Sequence, residues 1–303
     1  MSEQNVIPTV TFGKHGFTIM DNTMEYNGRT FSRSFKIGSP SYPDCVNVTV
    51  SYNQDNRPIK AHIPTLTSHE KCAISGEMEG GENSVGMIKV LLRHIHSKIP
   101  EITSFTFEDY SKIECGTKEE KKEKEDRPLG THAYPVSLFY FSLAFNGLTW
   151  YEKHFHAKLV EDAQYRTYRD NVKRICGTKE SKMSFENFIA ISIPTVEQIQ
   201  ELQSYYEKTD TYHEFFTSIP YKRRCPLVRT WIHTFMAHIL KGVFQHTDWV
   251  IDVNTMDNPP IVMGGKRGKR VRGTRKKGMC RTYYCPKGRI YLGGTQDNSI
   301  MTD

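Results

Sequence analysis

The alternation in VNVTVSY is the feature that most restricts this chain. Val46, Val48, Val50 and Tyr52 fall on one side of an extended backbone, so the segment reads as a strand with one face against a core. NQDNRP follows as a turn, and IKAHIPTL, Ile59 to Leu66, reads as a second strand, predicting an antiparallel hairpin. KCAISGEME, Lys71 to Glu79, reads as a third strand. It runs into EMEGGENSVGMIKVLLRHI, where Met87, Ile88, Leu91, Leu92 and Ile95 share one apolar helical face. Ser84 is the predicted N-cap, and Pro100 lies just past the end. EITSFTFED, Glu101 to Asp109, supplies the next strand. Strands on both sides of an amphipathic helix predict an α+β fold with a mixed, mostly antiparallel sheet and flanking helices.

Beyond this point the pattern changes. GTKEEKKEKEDRPLG, residues 116–130, is a low-complexity charged loop by composition. YPVSLFYFSLAFNG reads as a short buried helix, with Pro135 in its first turn and Gly147 at its end. TWYEKHFHAKL reads as a helical turn and a strand. From about residue 160 the periodicity is helical. Thr195 and Gln198 stand at capping-box spacing ahead of Val196, Ile199, Leu202 and Tyr206. CPLVRTWIHTFMAHILKGVF reads as one helix, with Pro226 near its start, Gly242 near its end, and Trp231, Phe235 and Ile239 along it. These shifts suggest three consecutive domains: an α/β domain over 1–160, a helical extension over 161–258, and a basic, flexible, extended tail over 259–303.

Charge separates the tail from the body. Residues 266–289 hold eleven Lys and Arg and no Asp or Glu, whereas the rest of the chain is slightly acidic. No apolar run is long enough to span a bilayer, and the N-terminus lacks the basic and apolar regions of a secretory signal. The seven cysteines therefore read as reduced thiols in a cytosolic setting, with Cys225 a small buried hydrophobe. Cys280 and Cys285 have no second ligand pair nearby. His233 and His238 have no third ligand at metal-site spacing, so no metal is expected. No Gly-x-Ser-x-Gly, His-Glu-x-x-His or Walker motif is present, which leaves hydrolase, metalloprotease and NTPase readings unsupported.

The glycine-rich turn before the helix has two readings, a plain turn with a cap or an anion cradle formed by free backbone N–H groups. The order hairpin, strand, glycine turn, amphipathic helix, strand, helix and WYEKHF resembles the GNAT N-acetyltransferases over roughly residues 40–160. In that family the loop after the fourth strand holds the pyrophosphate of acetyl-coenzyme A, and the two strands flanking the helix splay to admit the pantetheine arm. The resemblance implies Gly81, Asn83, Ser84, Val85 and Gly86 as the coenzyme loop and Tyr151 as the acid for the leaving thiolate. Glu77 or Glu108 would then be the base. The chain departs from the pattern in four places. Met78 or Glu79 stands where the family has Arg or Gln, the loop reads Gly81-Glu82-Asn83, His154 replaces a glycine, and the loop between the fifth strand and the next helix is long and charged. FTFEDYSKIEC and SLFYFSLAFNGLTWYEKHFHAKL further resemble GNAT-like proteins of nucleocytoplasmic large DNA viruses.

That resemblance implies a virion-associated structural protein, such as a minor capsid protein, that keeps the fold without its chemistry. It would act through contacts with other virion proteins, in the virion or in the virus factory of the host cytoplasm. It would not be secreted and would need no cofactor. The alternatives are an acetyltransferase using acetyl-coenzyme A, and a nucleic-acid-binding protein. The tail supplies the contact residues in either binding reading: Lys266, Arg267, Lys269, Arg270, Arg272, Arg275, Lys276, Lys277 and Arg281, with Tyr283 and Tyr284 able to stack. An acidic protein surface and nucleic acid both fit that chemistry, and a free solvated tail stands beside them.

Overall fold

A computed structural model describes residues 5–6, 9–12, 15–26, 28–66, 70–74, 82–115, 135–177, 179–242, 244–257, 282–285 and 288–291. The chain forms an α+β fold with two compact units, each assembled from separated segments. The first comprises residues 1–111, 151–165 and 244–260, and the second residues 112–150, 166–243 and 261–303. The consecutive domains suggested by composition give way to this interleaving, because strands late in the chain complete a sheet begun early.

That sheet has nine strands. They are β1 (Asn5–Val6), β2 (Val10–Phe12), β3 (His15–Tyr26), β4 (Arg29–Ser39), β5 (Tyr42–Tyr52), β6 (Pro58–Leu66), β7 (Ser104–Phe107), β10 (Lys158–Leu159) and β11 (Trp249–Asp252). The spatial order is β1-β3-β4-β5-β6-β7-β11-β10, with β2 also on β3. All neighbours are antiparallel except β6 and β7. The β5–β6 hairpin lies where alternation predicts it. Registers Ile19↔Ile37, Phe35↔Val48 and Val50↔Ala61 align buried side chains across strands.

Helix α1 (Glu82–Lys98) connects β6 to β7, as a parallel pair requires. Its predicted apolar face is fully used, since Met87, Ile88, Leu91, Leu92 and Ile95 are all buried. His94 of α1 lies edge-on to Phe35 of β4, so α1 covers the face that carries the valines. The helix starts two residues before Ser84, so Ser84 sits in the first turn and is not the N-cap. Of the strand expected over residues 71–79, the described part, residues 71–74, does not form a strand, and the remainder lies outside the described residues. Glu70–Cys72 is a 3-10 turn, and Cys72 is disulfide-bonded to Cys45 on β5.

The second unit has a small antiparallel pair, β8 (Lys112–Glu114) and β9 (Pro135–Ser137), so Pro135 is a strand residue rather than a helix start. Its helices are short: α2 (Leu138–Asn146), α4 (Asp162–Gly177, from Arg166 on), α5 (Phe185–Ser192), α6 (Val196–Tyr206), α7 (Tyr212–Ser218), α8 (Tyr221–Val228) and α9 (Ile232–Leu240). Caps set several ends. Gly147 ends α2 in the left-handed conformation at φ 69°. The Thr195 N–H donates to Gln198 Oε1, and Thr211 forms a capping box with Glu214. The single long helix expected after Cys225 is two helices, because the chain turns at Arg229–Trp231. Trp231 enters a ring cluster, with its indole N–H donating to the Leu227 carbonyl at 2.9 Å. Phe188 is central there, with ring centroids of Tyr206, Phe215, Trp231 and Phe235 at 4.8, 5.4, 5.2 and 5.0 Å.

Cys115 is bridged to Cys225, and Cys176 is buried and free. The reading of reduced cysteines and of Cys225 as a plain hydrophobe is thus corrected. The partners are far apart in sequence, so neither pairing could be read from spacing. Thr282–Cys285 (β12) and Gly288–Tyr291 (β13) pair as an antiparallel hairpin within the expected tail. Among the described residues no helix is long and apolar enough to cross a membrane.

Candidate functional site

The site indicated by the sequence lies where β6 and β7 run side by side. The strands share a single register pair, His62↔Thr106. The His62 ring Nδ1 lies 3.2 Å from Thr106 Oγ1, and that hydroxyl also donates to the Ala61 carbonyl at 3.2 Å. β6 and β7 are neighbours in the sheet, and α1 is the connection between them.

The first turn of α1 contains Asn83, Ser84, Val85 and Gly86. Gly81 and Glu77 lie outside the described residues. Ser84 and Gly86 are buried. Gly86 has no side chain because Phe12 of β2 needs the space: a Cβ there would stand 2.1 Å from Phe12 Cδ1. The Phe12 ring therefore lies against the first turn of α1 at Gly86. The glycine motif is legible in the sequence, but its use is set by a strand more than seventy residues earlier.

Tyr151, in α3 (Trp150–Phe155), is buried rather than presented to a substrate. Its hydroxyl lies 3.0 Å from Ser111 Oγ, and its ring centroid is 4.3 Å from that of Phe107. Burial raises its phenol well above the ordinary value. The nearby Asp109 charge adds to the shift, and the Ser111 hydrogen bond opposes it. So weak an acid has little drive to protonate a thiolate. Glu108 is exposed and accepts a hydrogen bond from the exposed Tyr110 hydroxyl. Tyr110 in turn lies against His246, with centroids 4.7 Å apart.

The buried carboxylate of this region is Asp109, which sequence reasoning missed. Past Phe107, alternation carries Asp109 inward and Glu108 outward, and that pattern was the available signal. The Ser111 N–H donates to Asp109 Oδ1 at 3.0 Å, while Oδ2 has no hydrogen-bond partner. Burial pushes the Asp109 carboxyl up to about 6 against the Ser111 hydrogen bonds. The Asp109 N–H donates to the Gln245 carbonyl at 3.3 Å. His154, standing at the glycine position of the resemblance, is pushed down to about 4, first by burial and then by the Lys153 and Lys89 charges.

The structure thus brings Tyr151, Ser111 and Asp109 together and leaves Glu108 on the outside. Among the described residues no group of three or more His, Cys, Asp and Glu is placed to hold a metal ion. Of the tail residues, Lys266, Arg267, Lys269, Arg270, Arg272, Arg275, Lys276, Lys277 and Arg281 lie outside the described residues. Tyr283 and Tyr284 are described as backbone only, in β12. No protein-family model, curated protein or solved structure matches the chain.

Proposed function

We propose that this chain is a virion-associated structural protein that uses a GNAT-like scaffold for protein contacts rather than for acetyl transfer. The observation that carries the reading is Phe12 packed on Gly86, which puts an aromatic ring against the α1 first turn where the resemblance expects a coenzyme loop. The scaffold itself is supported by the order of hairpin, α1, parallel β7, α3 and closing strands, and by the single pairing between β6 and β7. Contacts with partners are supported by apolar side chains left exposed around the β3–β4 turn: Met24, Tyr26 and Phe31 are 66%, 67% and 55% exposed. Calorimetry with acetyl-coenzyme A tests the reading directly. No heat of binding is expected up to about millimolar ligand, a range that even a modest site reaches. Saturable binding would overturn it. Proteomics of purified particles should find the chain at a fixed copy number, and its absence would end the virion assignment.

Acetyl transfer is the second reading. The one observation in its favour is the Asp109–Ser111–Tyr151 constellation just past β7. The calorimetric outcome separates the two. Nucleic-acid binding through residues 264–289 rests on the tail's charge alone. It predicts an affinity that falls steeply between low and physiological salt and disappears when those residues are deleted.

A further inference from the structure

The second unit contains a cavity of about 190 Å³ between the C-terminal ends of α4 and α9. Its lining divides by chemistry. Ile175, Met183 and Ile239 make an apolar floor, while Arg174, His238 and Lys241 supply cations or a potential cation at the rim. Ser181 and Tyr212 add hydroxyls, and none of the eight lining residues is acidic.

Basic residues at helix C-termini have an ordinary explanation, since they compensate the negative end of the helix dipole. Two features exceed it. The Tyr212 hydroxyl accepts from the Met183 N–H at 3.0 Å, and Ser181 Oγ donates to the Arg174 carbonyl at 2.9 Å, so the walls are tied to one another. The second feature is Lys241. It ends α9 in the left-handed conformation, at φ 52° and ψ 40°. That conformation is disfavoured for a residue with a Cβ, and glycine is its usual occupant. The sequence offers Gly242 one position later, yet the helix stops at the lysine. Ile193 ends α5 in the same conformation, so what sets Lys241 apart is its place: its side chain joins Arg174 and His238 in the cavity lining, three basic residues with no acidic one among them.

We propose that this cavity binds a small organic anion, with its anionic head at Arg174, Lys241 and His238 and its apolar body on Ile175, Met183 and Ile239. The head is a carboxylate or a phosphate, which the planar guanidinium of Arg174 and the point charge of Lys241 both accommodate. The Arg174 guanidinium is oriented for this by its hydrogen bond to Asn171 Oδ1 at 2.9 Å. The volume limits the body to about the size of a benzene ring or a short alkyl chain.

The test uses the full chain and two probes, benzoate and inorganic phosphate. Benzoate is expected to raise Tm saturably, with phosphate giving a smaller rise because it leaves the apolar floor uncovered. Lys241→Gly separates binding from folding. Relief of the left-handed strain should raise the ligand-free Tm by about 2–4 °C, while the benzoate shift falls at least tenfold in apparent affinity. Lys241→Arg should retain the shift. The proposal is overturned if benzoate produces no saturable shift in the native chain at tens of millimolar. It is equally overturned if Lys241→Gly binds benzoate as tightly as the native chain does.

Discussion

The two units are held by different means. In the first, a side chain's environment follows from strand register: Ile19, Phe35, Val48 and Val50 are buried because alternation puts them under α1. In the second, it follows from which rings meet, as Phe188 does with Tyr206, Phe215, Trp231 and Phe235. Register spreads stabilisation along many backbone hydrogen bonds, whereas a ring cluster concentrates it in a few side chains. The first unit should therefore tolerate single substitutions better than the second.

The disulfides give the largest contrast. Cys115 and Cys225 close a separation of 110 residues, and Cys45 and Cys72 one of 27. Chain-entropy arguments assign losses of about 5 and about 3.5 kcal/mol to their removal. Cys115→Ser should accordingly lower the stability of the second unit more than Cys45→Ser lowers that of the first. Hydrogen exchange followed by mass spectrometry reads the units separately. Equal protection losses would erase the distinction.

Core truncation comes next. Phe188→Ala should destabilise the second unit by about 3–5 kcal/mol, and Leu91→Ala the first by about 2–5 kcal/mol. Denaturant melts with the same exchange readout decide whether the ring cluster is the more brittle core. If Leu91→Ala proves the more damaging, the contrast between register and ring packing fails.

Acid response sharpens the comparison. His213 of α7 is buried, and burial pushes it down to about 4 from an ordinary 6.5. A histidine with a depressed folded value contributes stability that is full above pH 6.5 and is lost as pH falls towards 4, by about 3 kcal/mol in all. His154 acts in the same direction in the first unit. There it is opposed by Asp109, whose raised value makes the folded state lose stability as pH rises from about 3.8 to about 6. Between pH 4 and 6 the first unit should respond weakly and the second steeply. Asp109→Asn should expose the hidden histidine slope in the first unit, and pH-dependent melts of this variant check it.

The smallest effect is at Tyr151. Its hydroxyl is within the fold and paired with Ser111, so Tyr151→Phe should lower stability by about 1 kcal/mol. An unchanged Tm would mean that the hydroxyl contributes nothing to folding and would favour the catalytic reading.

What the sequence made legible follows the same division. The β5–β6 hairpin and the apolar face of α1 could be read directly, because periods of 2 and 3.6 residues survive in the residue order. The capping boxes at Thr195 and Thr211 are local, with their Gln198 and Glu214 partners three residues on. The break at Arg229–Trp231 was not legible, because Trp231 joins rings supplied by α5, α6 and α7. Nor was the relation of Phe12 to Gly86, or either disulfide. Asp109 lies between these cases. Its alternation with Glu108 is readable in the sequence, but alternation alone does not say which of the two faces is buried.

The position of β11 has a consequence for synthesis. It lies between β7 and β10, so neither can complete its pairing until residues 249–252 exist. Roughly 140 residues are made between Phe107 and Trp249. At about 5–20 residues per second, the ribosome leaves the β7 edge unpaired for on the order of ten seconds. During that interval Phe105 and Thr106 present unpaired backbone beside an apolar surface, a template that another nascent chain can join. A chaperone that recognises extended apolar segments should bind nascent chains released after β7 and before β11, and should let go once Trp249 has emerged.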